Sequence, residues 1–283
     1  MINISGFFRL ILLAVFMLSP GCSGGGNDMG KKENHFYGSL QDVPDSEWKK
    51  LSQQTIFFGH QSVGYNIIEG MQDVIKENPQ IKLRFTTLDA MDVSEKEGMF
   101  VHGEIGTNRN PSSKIDEFSA ILENPKGKKF DIAFLKFCFI DIDAETDISQ
   151  LFQQYRNAME RLKKAYPATK IFHLTVPLSY NKTTWKTWLK KILGKDDIWE
   201  YDSNIRKNQY NDMVRQHYAE KGPLFDLAAV ESTLPDGTRS IFKKSGQVYY
   251  QLAPEYTFDD GHLNEVGRKI VAEQFLLFLV NNQ

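Results

Sequence analysis

Three polar side chains, far apart along the sequence, are of the types that cooperate in nucleophilic catalysis. Ser62 stands in the segment FGHQSVG, and Asp259 and His262 stand three positions apart in DDGHLN. A histidine can accept the proton of a serine hydroxyl, and a carboxylate behind the histidine fixes its tautomer and stabilises the imidazolium. The order Ser, Asp, His therefore predicts a nucleophile, an orienting acid and a general base, with Asp260 as the neighbour that could replace Asp259.

Each segment also has a purely structural interpretation. A serine that opens a helix is commonly a plain N-cap, and Asp-Gly is a turn signal in which the aspartate acts as a cap. For Ser62 alone, the cap is the favoured interpretation. The two segments together are more specific than either one, because a nucleophile and its base are then both present.

The sequence between these segments alternates β-rich runs with helical patterns. This alternation predicts a parallel sheet with helices on both faces, in which functional side chains collect at the carboxyl ends of the strands. We expect Ser62 and His262 to meet at that edge. The predicted strands are 55–59, 81–88, 130–137, 170–176 and 223–228, and the predicted helices are 63–77, 113–123, 148–166, 203–220 and 263–280.

The two segments resemble blocks of the SGNH, or GDSL-like, hydrolase family. FGHQSVG stands where the family has its G-D-S block and DDGHLN where it has D-x-x-H-P, so the resemblance spans about 50–283. It implies a three-layer α/β/α sandwich with a parallel, flavodoxin-like sheet. It also implies that Ser62 is the nucleophile, His262 the base and Asp259 its orienting acid, and that the N–H groups of Ser62 and Gly106 bind the oxyanion.

Two features of the sequence depart from the family pattern. Ile140, in DIAFLKFCFID, lies where the third block has an asparagine, and Asn108 or Asn110 could supply the missing amide. Loss of one oxyanion donor costs about 3 kcal/mol of transition-state stabilisation, which lowers activity without changing the fold. His60 precedes Ser62 by two positions, and it either lines the pocket or is a satisfied polar residue at the strand end.

The amino terminus has the pattern of an export signal. Arg9 precedes the apolar run LILLAVFML at 10–18, which is too short to span a bilayer because a spanning helix needs about 20 apolar residues. The following SPGC and the Gly-rich SGGGND resemble a bacterial lipoprotein cleavage box, which implies a lipid on Cys22. An ordinary secretory signal with an incidental cysteine is the alternative.

These patterns divide the chain into three predicted parts. We expect a signal peptide at 1–21, a flexible tether at 22–35 and one SGNH hydrolase-like domain at 36–283. Lipid on Cys22 would hold the exported protein to the outer membrane, at its periplasmic or surface face.

The segment 178–202 looks like an insertion after a predicted strand. Its apolar residues recur at helical spacing and include Trp185 and Trp188. This amphipathic pattern predicts a helix that packs on the domain, or a lid over the site whose tryptophans stack on sugar rings.

Composition and missing motifs exclude several function classes. The chain has 34 Lys+Arg and 36 Asp+Glu, and the net charge of -2 gives no reason to expect nucleic acid as a partner. The sequence has no H-E-x-x-H pair, phosphate loop or dinucleotide fingerprint, so we expect neither metal nor cofactor. Cys138 is expected to be a buried, unpaired thiol, and the oligomeric state stays open.

The sequence thus favours an exported, lipid-anchored serine esterase that hydrolyses a small acyl ester, such as one on a carbohydrate. The alternative is a non-catalytic, glycan-binding surface lipoprotein on a degenerate SGNH fold. A lipase-like hydrolase of acyl lipids, with the insertion as its lid, is a third interpretation.

Overall fold

A parallel β-sheet lies at the centre of the computed structural model, which describes residues 36–92, 94, 98–124, 129–182 and 199–283. Its strands are β1 (Thr55–His60), β2 (Phe85–Thr87), β3 (Met99–Glu104), β4 (Ile132–Leu135) and β5 (Lys170–Ile171). They pair in the order β2-β3-β1-β4-β5, and every pair is parallel. Phe172 alone separates β5 from β6 (His173–Leu174), which pairs in parallel with β7 (Leu224–Phe225).

Helices cover both faces of this sheet. The helices are α1 (Asp45–Ser52), α2 (Val63–Glu77), α3 (Pro111–Glu123), α4 (Ile148–Ala165), α5 (Trp199–Tyr218), α6 (Leu227–Glu231) and α7 (Glu265–Asn282). Because side chains alternate along a strand, Phe58 of β1 joins the core under α2 and α7, whereas Phe57 joins the core under α3, α4 and α5. The three layers confirm the predicted α/β/α sandwich with a parallel sheet. Apart from the short edge strand β2, the strand order is flavodoxin-like.

The two central strands are apolar because helices cover them on both sides. Every residue of β1 and of β4 is buried. This arrangement brings the carboxyl ends of β1, β3 and β4 to one edge, where the loops leading to α2 and α3 and the loop after β4 lie side by side.

The structure differs from the sequence predictions at β3. Residues 99–104 were expected to belong to a loop, but they pair with β1 over its whole length, whereas the predicted strand 81–88 contains only Phe85–Thr87. The run MFVHGE was missed because only its first half is apolar. An antiparallel hairpin, β8 (Ile241–Lys244) and β9 (Gln247–Tyr250), was also not predicted.

The predicted lid falls mostly outside the described residues. Trp185 and Trp188 belong to 183–198, which the structure does not describe, and α5 begins at Trp199. Within the described ranges, no helix is both long and apolar enough to cross a membrane.

Candidate active site

Ser62 lies in a tight turn between β1 and α2. Its φ of 55° is positive, in a region that costs a non-glycine residue about 1–3 kcal/mol. The turn is possible because Gly64 has no side chain, since a Cβ at that position would collide with the ring of His60. The side chain of Ser62 makes no capping hydrogen bond to α2. The plain N-cap interpretation of this serine therefore does not account for its hydroxyl.

The structure brings Ser62, His262 and Asp259 into one hydrogen-bonded chain. Ser62 Oγ lies 2.6 Å from His262 Nε2, and His262 Nδ1 lies 2.7 Å from Asp259 Oδ2. Asp259 Oδ1 also accepts the N–H of His262 at 2.7 Å and that of Gly261 at 3.1 Å. With the carboxylate accepting the Nδ1 proton, Nε2 is left as the acceptor for the hydroxyl of Ser62.

The electrostatics of Asp259 suit an orienting acid. Burial acts to raise the pKa of the Asp259 carboxyl, but hydrogen bonds from His262 and Gly261 outweigh it, and the pKa lies below its ordinary value. The group is therefore ionised at neutral pH and can stabilise a protonated imidazole. The carboxylate at His262 Nδ1 is that of Asp259 and not that of Asp260, whose backbone has φ 71° and whose carbonyl accepts the N–H of Tyr180 at 2.8 Å.

Two phenylalanine rings flank the imidazole of His262. Phe139 meets it edge-on, at 5.4 Å between ring centroids, and Gly261 makes room for this ring. Phe258 lies nearly parallel to it at 6.2 Å, and 69% of Phe258 is exposed. Phe258 thus forms part of the open rim beside the Ser62–His262 pair.

His60 lies beneath the turn and has no exposed surface. Its Nε2 lies 3.1 Å from His102 Nδ1, and its Nδ1 has no partner. Burial, followed by the charge of Lys136, lowers the pKa of His60 well below its ordinary value, so the ring is neutral at neutral pH. This burial corrects the expectation that His60 lines the pocket, because the ring supports the start of α2 from below.

The expected oxyanion donors are only partly in place. The N–H of Ser62 has no acceptor among the described residues. The N–H of Gly106, at φ 58°, already donates to Glu117 Oε2 at 2.7 Å, so it departs from the role that the resemblance implied. Asn110 Oδ1 caps α3 by accepting the N–H of Ser113 at 3.2 Å.

Asn108 is held by a buried ion pair that the sequence analysis missed. Lys114 Nζ donates to Asn108 Oδ1 at 2.9 Å and to Asp141 Oδ2 at 2.5 Å, and neither charged side chain has exposed surface. Lys114 shares the buried face of α3 with Ile115 and Phe118. A lysine at that spacing was the available sequence signal, although nothing in the spacing identified Asp141 as its partner.

The described residues provide no assembled metal site. No group of three or more His, Cys, Asp or Glu side chains within those ranges is arranged to hold an ion. Cys138 is buried and unpaired, which confirms its predicted state, and its Sγ lies 3.5 Å from the carbonyl of Gln61.

Comparison with known proteins gives structural neighbours only, since no family model and no curated protein matches the sequence. An acetyl xylan esterase, AlAXEase, is 18% identical with a TM-score of 0.46 and covers 78% of this chain and 97% of its own. A GDSL-like lipase from Bacteroides thetaiotaomicron VPI-5482 is 12% identical with a TM-score of 0.45, over 85% and 91%. An acetyl esterase mutant with acetate ion is 11% identical with a TM-score of 0.46, over 80% and 96%. The structural neighbours thus include GDSL-like lipases and esterases, but at such identities and TM-scores the case for a function depends on the side-chain geometry.

Proposed function

We propose that this chain is an exported, lipid-anchored serine esterase of SGNH type that hydrolyses a small acyl ester on a carbohydrate. One observation carries the proposal: the hydroxyl of Ser62 lies 2.6 Å from His262 Nε2, and Asp259 holds the opposite nitrogen at 2.7 Å. The structural alternative for these segments is weaker, because Ser62 makes no cap bond and α7 is capped by Asn264 rather than by an aspartate.

The contacts support acyl transfer in two steps. His262 Nε2 accepts the proton of Ser62 as Oγ forms a bond to the ester carbonyl, and Asp259 stabilises the resulting imidazolium. The imidazolium then donates this proton to the departing alcohol, leaving an acyl group on Ser62. Water, deprotonated by His262, attacks the acyl group, and the imidazolium returns this proton to Ser62 Oγ as the acyl–oxygen bond breaks and the acid is released. The N–H of Ser62, at the start of α2, is a donor for the oxyanion.

Exposed aromatic rings beside the triad support a carbohydrate ester. Phe258 is 69% exposed next to His262, and Tyr65 is 40% exposed in the first turn of α2. Tyr65 Oη donates to Glu104 Oε1 at 3.0 Å, which fixes the ring. Flat, accessible rings suit the partly apolar face of a sugar.

Active-site labelling tests the hydrolase. The full chain, solubilised in detergent, is treated with a fluorophosphonate probe and assayed with p-nitrophenyl acetate, beside Ser62→Ala, His262→Ala and the control Ser112→Ala. We expect labelling and turnover in the wild type and the control, and a loss of about 10³-fold or more in the two triad variants. Wild-type protein that neither labels nor turns over would contradict the proposal.

A non-catalytic, glycan-binding lipoprotein is the second candidate. The observation that favours it is the N–H of Gly106, which is paired with Glu117 rather than left for an oxyanion. This candidate predicts that acetylated oligosaccharides bind to the wild type without release of acetate.

Substrate class and anchoring need separate measurements. For the esterase, Phe258→Ala should raise KM on acetylated oligosaccharides more than on p-nitrophenyl acetate, and acyl chains longer than acetyl should not be preferred. A preference for long chains would instead support a lipase. For the anchor, Cys22→Ala should move the protein from the membrane fraction to the soluble fraction, and a protein that stays in the membrane fraction would contradict lipidation.

A further inference from the structure

The buried pair of Lys114 and Asp141 lies between two loops that border the Ser62 turn. We propose that this ion pair is a positioning device that holds the side-chain amide of Asn108 as an oxyanion donor, in place of the asparagine missing at Ile140. The inference rests on the esterase function proposed above. It assigns positioning roles to Lys114 and Asp141 and a catalytic role to Asn108.

The contact with Lys114 fixes which way the Asn108 amide faces. An ammonium group has three donors and no acceptor, so the Asn108 atom 2.9 Å from Lys114 Nζ must be the carbonyl oxygen Oδ1. The NH₂ group therefore points away from Lys114. It has no partner among the described residues, and Asn108 itself is exposed. A donor in this state is available to a negatively charged oxygen.

Asp141 ties this assembly to the backbone of both loops. Its Oδ2 accepts the N–H of Cys138 at 2.6 Å in addition to Lys114, and its Oδ1 accepts the N–H of Arg109 at 2.8 Å. Arg109 has a φ of 66°, so the residue directly after Asn108 is held in a conformation that few side chains adopt. One carboxylate thus fixes the loop after β4 and the backbone beside Asn108.

Gln61 links the same loops to the nucleophile. Its side-chain Nε2 donates to the backbone carbonyls of Ile105 and Gly106, at 3.0 and 2.7 Å. Its backbone carbonyl accepts from Cys138 Sγ at 3.5 Å. Gln61 directly precedes Ser62. The loop that carries Asn108 therefore runs alongside the nucleophile turn.

The burial of two charges at this place needs an explanation other than stability. Because desolvation is costly, replacing a buried ion pair by well-packed apolar side chains of similar volume is often neutral or stabilising. Lys114 and Asp141 are both fully buried, yet an apolar pair could neither orient an amide nor accept two backbone N–H groups. Positioning of the Asn108 amide and of the backbone at Arg109 and Cys138 accounts for the pair.

The matched variants Asn108→Asp and Asn110→Asp test the donor. Aspartate at 108 keeps the shape and the contact with Lys114 but has no N–H, whereas aspartate at 110 caps α3 as well as asparagine does. We expect Asn108→Asp to lower kcat about 100-fold or more with KM changed less than threefold, and to raise the inhibition constant of an alkyl boronic acid by the same factor. For Asn110→Asp, kcat, KM and the inhibition constant should stay within twofold of the wild-type values. Both variants should keep the wild-type Tm.

The double variant Lys114→Met/Asp141→Asn tests the positioning pair without leaving one buried charge unpaired. We expect kcat to fall and the inhibition constant of the boronic acid to rise by a similar factor, because the Asn108 amide is no longer held. A double variant with lower Tm but wild-type kcat and boronate affinity would overturn the positioning role. If the wild type labels with fluorophosphonate but Asn108→Asp and Asn110→Asp have equal kinetics, the donor role of Asn108 is overturned and the esterase stands. A wild type that does not label overturns both this inference and the esterase.

Discussion

The strained backbone of Ser62 predicts that two inactive variants differ in stability. Ser62→Ala and Ser62→Gly both remove the nucleophile and the same hydrogen bond to His262, so these losses cancel in the comparison. Only glycine adopts a φ of 55° without steric penalty. Ser62→Gly should therefore be the more stable of the two variants.

The magnitude follows from two opposing terms. A non-glycine residue in a sparsely populated backbone region costs about 1–3 kcal/mol. Relief of this cost by glycine is partly offset, by about 0.4–1 kcal/mol, because glycine raises the conformational entropy of the unfolded chain. The net difference is roughly 1 kcal/mol in favour of Ser62→Gly, or about 3 °C in Tm for a domain of this size. Urea titration and calorimetry on the full chain measure both quantities.

A second serine supplies the matched control. Ser112 lies in the first turn of α3 with ordinary helical backbone, where glycine loses more chain entropy on folding than alanine and relieves no strain, so Ser112→Gly should be less stable than Ser112→Ala. The glycine variant should thus be more stable than the alanine variant at position 62 and less stable at position 112. If Ser62→Gly proved no more stable than Ser62→Ala, the strain at the nucleophile turn would be refuted.

Three further outcomes follow from the site and its surroundings. Asp259→Asn should lower kcat about 10⁴-fold in steady-state assays, whereas Asp260→Asn should leave it near wild type, because the carboxylate that hydrogen-bonds the imidazole is that of Asp259 and not that of Asp260. Gly64→Ala should lower both turnover and urea stability, since its Cβ collides with His60. Burial raises the pKa of Glu231 to about 8, so the folded protein binds this proton more tightly than the unfolded chain. The stability gained from this protonation is complete below the ordinary carboxyl pKa and is lost as pH rises through about 8. Glu231→Gln should therefore reduce the fall in unfolding free energy between pH 5 and 7 by about 2–3 kcal/mol, measured by urea titration.

Local periodicity was sufficient to predict the elements that carry the triad. The apolar run from Thr55 and the helical spacing after it predicted β1 and α2, and α2 occupies the predicted 63–77. Asp259 and His262 were predicted to contact each other because three positions separate them. These inferences succeeded because each depends on neighbours in the sequence.

Contacts between distant residues account for what the sequence could not predict. Strand β3 is specified by its pairing with β1 rather than by its own half-polar sequence. Gly106 matched an oxyanion donor by position, but its N–H is taken by Glu117, eleven residues further on. Lys114 of α3 pairs with Asp141 of the loop after β4, and no periodicity in the sequence predicts that pairing. The resemblance to a family supplied positions in the sequence, but it did not supply the side-chain partners of those positions.

The distribution of backbone strain favours a working hydrolase over a binding module. Four non-glycine residues in the described ranges have positive φ, and three of them, Ser62, Arg109 and Asp260, lie in loops that build the candidate site. The fourth, Ser245, lies in the turn between β8 and β9. Each such residue costs about 1–3 kcal/mol, which glycine would relieve. A surface that only binds a glycan places weaker demands on side-chain position than catalysis does, because a nucleophile, its base and an oxyanion donor must be held in fixed positions for the reaction to proceed.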